Sequence, residues 1–365
     1  MSKSRRRLPF AGLVALGALM FGLVSCTNKP PATQTPTAPG EVTLRYGPFN
    51  IPGRDQPGTG LAYLMPLLGL QPETGMIWNQ PVTNVQKPCA NCYITGMQAG
   101  LEYPDRTNAN INTGVWLHHM VLMSQGAGKR DPTCANNAFS LPHFAVGGTG
   151  ANTERIFASG NERTPVVMPD NLNYGYPVAA ADRFHLLVDL MNENVAPKQV
   201  YMTIKYTYVP TTKPGIRPMK PLWLDVNQCG TSEVKAKTGA YNYKSVPWQS
   251  TLTGPWLGVG GHLHDGGTNL TVEQNGQVIC NSEAKYGTKP EFISPGDGTD
   301  HGDGHGGHGD MQHISEHGVC YSAGQLTAGA TVGITAYYDD SKYPQMVHNG
   351  RLHNVMGIAI AYIGQ

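Results

Sequence analysis

NLTVEQNGQVIC, residues 269–280, is two short alternating runs joined by Asn275-Gly276. Asn-Gly suits the two-residue turn whose central residues both need positive φ, so this stretch predicts a β-hairpin. Runs of the same kind recur at VWLHHMVLM (115–123), RFHLLVDLM (183–191), QVYMTIKYTYV (199–209), ATVGITAYY (330–338) and VMGIAIAYI (355–363). No long stretch carries a helical period, which predicts an all-β protein with its function on strands and loops. The 45 glycines and 28 prolines stay below the low-complexity range and supply turns. PTTKPGIRPMKP (210–221), with four prolines, interrupts the strand pattern and predicts a domain junction. One β-sandwich is expected before it, over 46–212, and one after it, over 213–365.

The first residues, MSKSRRR followed by LPFAGLVALGALMFGLVS, have the basic and apolar regions of a secretory signal. Leu23-Val24-Ser25-Cys26 resembles a bacterial lipobox, which implies a signal over 1–26 and a lipid on Cys26. The Pro/Thr-rich run that follows, over 27–45, reads as a tether. The chain is therefore expected to be exported: an envelope lipoprotein on the outer face of a membrane, or a periplasmic or extracellular protein, touching the membrane by its lipid only. Net charge is +1 and only 14% of residues are charged, which leaves no basic face for nucleic acid. A monomer acting on a small molecule is expected.

Apart from Cys26, six cysteines remain: Cys89, Cys92, Cys134, Cys229, Cys280 and Cys320. An even count in an exported chain predicts up to three disulfides, with the connectivity open. Cys89-Ala-Asn-Cys92 has redox or zinc spacing, but without a second CxxC or a βαβ setting structural pairing is the better reading.

GGHLHDGG, residues 260–267, carries the first candidate ligands. Alternate side chains on a strand leave one face about 6.6–6.8 Å apart, so His262 and His264 can approach one ion together. A cupin site is disfavoured, because Gly266, Gly267 and Thr268 stand where its glutamate belongs. His118-His119 is a weaker signal, since neighbours on a regular strand point to opposite faces unless the backbone twists locally. Met356 is core filler by default, and a thioether beside two imidazoles would point to copper. HGDGHGGHGDMQHISEH (301–317) is expected as a mobile loop whose His301, His305, His308, His313 and His317 either load copper or serve no purpose. His143, His348 and His353 read as satisfied or solvated histidines.

The order HH, a further ligand strand, HxH and a strand methionine resembles the copper type II, ascorbate-dependent monooxygenases, which include peptidylglycine α-hydroxylating monooxygenase and dopamine β-monooxygenase. WLHHMVLM, FASGNERTP (157–165), GGHLHDGGTNL and VMGIAIAYI are closer still to their bacterial, fungal and plant relatives. The resemblance covers roughly residues 85–365. It implies two tandem jelly-roll sandwiches and two coppers, with O₂ and ascorbate or another reductant as co-substrates. His262, His264 and Met356 would hold the catalytic copper that meets O₂; His118 and His119 would hold the electron-storing one. The third histidine of that site aligns near Asp189, with His185 four residues earlier, on the same face, as its substitute. Gly260 and Ile360 replace the arginine and tyrosine that grip a peptide carboxylate, so peptide amidation is disfavoured.

Two other classes stay open at this point. One is a copper-buffering envelope lipoprotein without turnover; the other is a pair of sandwiches with vestigial sites that bind a carbohydrate or a protein.

Overall fold

The computed structural model describes residues 33–62, 73–134, 152–229, 232–294, 310–348 and 351–365. The signal with Cys26, and His143, His301, His305 and His308, lie outside the described residues.

Among the described residues the only helical pieces are three single 3₁₀ turns, and the rest of the regular structure is strand. No described helix is long and apolar enough to cross a membrane. Sixteen strands have four or more residues: β1 Gly40–Ile51, β2 Met76–Val85, β3 Cys92–Glu102, β4 Val115–Gln125, β5 Thr153–Gly160, β6 Tyr174–Val178, β7 Arg183–Asn192, β8 Lys198–Pro210, β9 Arg217–Asp225, β10 Ala240–Lys244, β11 Gly254–Leu263, β12 Gly267–Gln274, β13 Gln277–Tyr286, β14 Ile314–His317, β15 Thr331–Asp339 and β16 Val355–Gly364. All six expected runs are strands, and Asn275 (φ 50°) and Gly276 (φ 77°) make the turn between β12 and β13. The tether expected over 27–45 ends sooner: GEVTLRY alternates, and Gly40 already opens β1 with Leu44 and Tyr46 buried.

One long sheet runs in the order β1-β8-β3-β6-β9-β16-β11 and continues into Val319–Tyr321. Its first four strands come from the chain up to Pro210 and the others from Arg217 onward, so the interruption expected over 210–221 is confined to residues 211–216. The junction is a short parallel pairing of Arg217 and Pro218 in β9 with Tyr174 and Gly175 in β6. A second sheet, with β2-β7-β4-β5, covers the first strands, and a third, β10-β15-β12-β13-β14, covers the later ones. The first interface is packed by Ile94, Met97, Ile204, Tyr206, Leu117, Met120, Leu122 and Leu190. The other is packed by Leu222, Trp256, Val259, Leu270, Val332, Ile334 and Tyr338. β8 buries alternate residues, whereas β4, β7 and β16 are buried on both faces, as expected of strands covered on each side.

A third apolar cluster positions the site. Val121, Met123 and Leu187, on the outer face of the β7-β4 pair, pack against Trp223, Met356 and Ile358 on the outer face of β9 and β16. The two strand sets are tied nearby by the Cys134–Cys229 disulfide, by Thr133 Oγ1 donating to the Trp223 carbonyl at 2.8 Å, and by the Tyr362 hydroxyl donating to the Ile156 carbonyl at 2.9 Å. All six cysteines pair: Cys89 with Cys92, Cys134 with Cys229, and Cys280 with Cys320. The CxxC is thus a disulfide within itself, with both cysteines buried.

Candidate metal centre

β4 is regular up to Leu117, which lies opposite Leu190 of β7, but the next paired residue is His119, opposite Asp189. His118 is the extra residue of a β-bulge, and a bulge bends its strand and re-aims a side chain. Both rings consequently reach the same carboxylate. His118 Nδ1 lies 3.3 Å from Asp189 Oδ1, and His119 Nε2 lies 3.6 Å from Oδ2. His119 Nε2 also faces Asn79 Oδ1 at 3.3 Å. Asp189 is fully buried.

From the other strand set, His262 on β11 stands opposite Ile358 of β16, and His264 follows just past the end of β11. His262 Nδ1 is 3.1 Å from Glu162 Oε1, and His264 Nδ1 donates to the Asn354 carbonyl at 2.8 Å. The rings converge. His118 and His264 have centroids 4.9 Å apart, and His262 and His264 5.6 Å. His353, from the segment leading into β16, lies 5.4 Å from His118 and 6.1 Å from His264 by the same measure.

The ring nitrogens show a common pattern. His262 and His264 each have Nδ1 hydrogen-bonded to an oxygen, while His118 Nδ1 faces Asp189 without a hydrogen bond; in all three Nε2 is buried with no hydrogen-bond partner among the described residues. Burial pushes the His118 imidazole down to about 3 and holds His264 well below the usual histidine range, so both are neutral at pH 7. His353 goes the other way: burial lowers it, but hydrogen bonding and charge from Glu73, with further charge from Glu233, raise it to about 9. Its Nε2 is 3.5 Å from Glu73 Oε1. Glu162 is fixed by the Gly160 N–H at 3.0 Å; burial raises its carboxyl, but His262 beside it takes the balance down to about 2. Gly160 itself is required to be small, since a Cβ there would sit 2.5 Å from His262 Cε1.

Met356 is buried on the face that carries His262. Together with His119, His262, Val121, Ala158, Trp223 and Ile358 it lines a narrow pocket.

Two probable copper-dependent oxygenases resemble the chain in sequence. One, "Probable copper-dependent oxygenase M1" of Phoma sp. (strain ATCC 20986 / MF5453), is 31% identical over 327 residues, covering 88% of this chain and 72% of its own. The other, "Probable copper-dependent oxygenase clz3" of Cochliobolus lunatus, is 32% identical over 271 residues, 73% of this chain and 78% of its own. The chain belongs to this family of copper-dependent oxygenases. No family model matches it. Among solved structures, a glycosylasparaginase, PNGase F from Flavobacterium meningosepticum, aligns with a TM-score of 0.36 at 10% identity over 89% of this chain and 96% of that one. PNGF-II aligns with 0.39 at 8% identity over 89% and 66%. Likeness at that level carries no argument about fold or activity.

The residues present in this copper-dependent oxygenase family member fit a copper ion. Metal-bound histidines ordinarily give their second ring nitrogen to an oxygen, which is how His262 and His264 are held. A buried Nε2 left without a hydrogen bond costs about 1–3 kcal/mol, and a metal bond removes that cost.

Several expectations need correction. His185 does share a face with Asp189, but four residues along a strand is about 13 Å. It lies opposite Met123, where its Nδ1 accepts from the Asn84 N–H at 3.4 Å and its Nε2 is 3.3 Å from Gln125 Oε1. The residue beside the His118-His119 pair is Asp189. The histidine run is not all loop, because Ile314–His317 is strand β14. His313 is buried, with Nδ1 2.6 Å from Asp265 Oδ2 and its ring edge-on to Trp116. His317 accepts from the Leu263 N–H at 3.2 Å, and burial lowers it to about 4. His353 is not solvated, with only 8% of its side chain exposed. Glu162 and His353 are the site residues that the sequence reading did not assign. FASGNERTP was conspicuous as a motif, but nothing local marked its glutamate as the partner of a histidine 100 residues away.

Proposed function

We propose that the protein is a copper-dependent monooxygenase that hydroxylates a C–H bond of a small molecule, with O₂ and a reductant such as ascorbate as co-substrates. One observation carries this reading: three buried imidazoles from both strand sets converge with their Nε2 atoms left without hydrogen bonds, two of them, His262 and His264, oriented through Nδ1. The names of the two fungal relatives supply the metal and the reaction class. On the same reading, the strand sets are two tandem jelly-roll sandwiches, and the chain works as an exported monomer held by a lipid on Cys26. Its three disulfides suit an oxidising compartment.

Copper, when bound, would supply the activation of O₂ that no amino-acid side chain provides. The chain's contribution is to hold, orient and exclude. Glu162 and the Asn354 carbonyl fix the imidazoles of His262 and His264, and Asp189 faces His118. Burial keeps His118 and His264 neutral, the form in which a ring nitrogen can ligate. Met356, with Val121, Trp223 and Ile358, keeps one side of the site apolar and restricts water. A thioether there also favours the reduced ion.

Ascorbate-dependent O₂ uptake by the copper-loaded chain, after free copper is removed, tests the proposal against His262→Ala. Uptake that depends on the protein and falls at least about 100-fold in the variant is expected, by analogy with the loss of a group essential to chemistry. A full copper complement with no protein-dependent uptake would instead make this a copper-buffering protein.

A further inference from the structure

A polar constellation at the start of β14 is not used by the copper reading. Ile293–Ser294 pairs antiparallel with Met311–Gln312, which brings His313, the residue before β14, beside Ser294. Ser294 Oγ lies 2.9 Å from His313 Nε2, and His313 Nδ1 lies 2.6 Å from Asp265 Oδ2. A carboxylate only accepts, so Nδ1 carries the ring proton and Nε2 takes the hydrogen bond of the serine hydroxyl. We infer that Ser294, His313 and Asp265 are the nucleophile, base and orienting group of a second site, which hydrolyses a carboxylic ester by acyl transfer through the serine.

Each group is held as that chemistry requires. Asp265 Oδ1 accepts from the Ile314 N–H at 3.0 Å, and the backbone of His313 donates to the Phe292 carbonyl and accepts from the Gly287 N–H, both at 3.0 Å. His313 and Asp265 are buried, with 3% and 7% exposed, whereas Ser294 is partly exposed. The nucleophile is thus the member that a substrate meets first. Trp116 lies edge-on to His313, with ring centroids 4.5 Å apart, and its indole Nε1 is buried without a hydrogen-bond partner among the described residues. A substrate carbonyl would give that donor a partner, as acyl transfer demands of the oxygen that gains charge. Trp116 also belongs to an apolar cluster with Ile111 and Phe292, which favours an ester with an apolar acyl group.

In the first step Ser294 Oγ bonds to the ester carbonyl carbon as its proton passes to His313 Nε2, and Asp265 faces the imidazolium so formed. The C–O bond to the alcohol then breaks, and the leaving oxygen takes that proton. Water repeats the sequence on the acyl-serine: it gives a proton to His313, its oxygen bonds to the carbonyl carbon, and Ser294 leaves with the proton as the acid is released. The balance needs only water, so this site and the copper reading are tested separately.

The test is a fluorophosphonate probe on the full chain, with the labelled residue located by peptide mass spectrometry, together with turnover of p-nitrophenyl butyrate. A covalent adduct on Ser294 of the wild type is expected, with ester hydrolysis that Ser294→Ala abolishes. His313→Gln should slow labelling and turnover by roughly 100-fold or more, the usual worth of a general base. Asp265→Asn should lower kcat by roughly 100-fold or more with KM little changed, which a loss of fold would not do. An unlabelled Ser294 in the wild type, or turnover indifferent to any of the three substitutions, would overturn the inference and make the three groups a structural hydrogen-bond chain. The adduct is read on the wild type, so the outcome does not depend on how well the variants fold.

Discussion

Glu162 shows how much of the site is decided by single contacts. Its carboxylate holds His262 Nδ1 at 3.1 Å, so Glu162→Gln removes a charge-assisted hydrogen bond without changing shape. On the proposed copper reading we expect activity at saturating copper to fall by about 10–100-fold, the range seen when a group that orients a metal-site histidine is removed, while the far-UV spectrum stays unchanged. Gly160→Ala attacks the same ring sterically, because the added methyl would lie 2.5 Å from His262 Cε1 and 3.0 Å from the His118 carbonyl. Chemical denaturation should show a loss of about 1–3 kcal/mol, the usual cost of overpacking. Met356→Leu nearly conserves volume and should cost less than about 1.5 kcal/mol. If the thioether serves the metal, the variant should keep its melting temperature and lose O₂ uptake; full uptake would assign Met356 to packing alone.

At the scale of elements, strands such as Lys198–Pro210 bury alternate residues, those at the site such as Val115–Gln125 are buried on both faces and read as short apolar runs, and the Asn-Gly turn announced its own geometry. The bulge at His118 was not legible. VWLHHMVLM reads as an unbroken strand, and the slip appears only against its partner, where His119 meets Asp189. The strand parity that kept His185 as a candidate was correct as to face, but it says nothing about distance along the strand. The histidine run misled for a compositional reason: its glycine-rich start suits a loop, whereas ISEH alternates into a buried strand whose His317 binds the backbone of Leu263. The connection after β4 carries another buried ionic contact. Asp131 Oδ2 accepts from Arg155 at 2.7 Å, and the guanidinium lies over Trp223, 4.3 Å from its ring centroid. Burial raises the Asp131 carboxyl, but Arg155 and the Thr133 and Cys134 hydrogen bonds bring it below the ordinary value. Asp131→Asn should therefore cost about 3–5 kcal/mol at neutral pH, since it breaks a buried ion pair by removing one partner. A carboxylate held low stabilises the fold above its unfolded pKa and stops doing so as pH falls through the folded one. The deficit of the variant, followed by urea denaturation, should accordingly narrow on acidification.

Across the whole molecule, the all-β class was legible from periodicity, and the three disulfides from the even cysteine count. What local pattern could not carry is the meeting of the two strand sets, because it depends on contacts between residues more than 140 positions apart, as between His118 and His264. That meeting makes ligands contributed by both sets report on assembly. Copper at 100 times its dissociation constant should add about 2.7 kcal/mol to the stability of the whole, read as a Tm that falls by several degrees on chelation. A Tm indifferent to copper would place any bound ion outside the fold's interior. The most direct test of the central claim is an anomalous-difference map at the copper edge from copper-loaded crystals. The account predicts a strong peak beside the rings of His118, His262 and His264. Copper found only at surface histidines, with no peak among those rings, would contradict it.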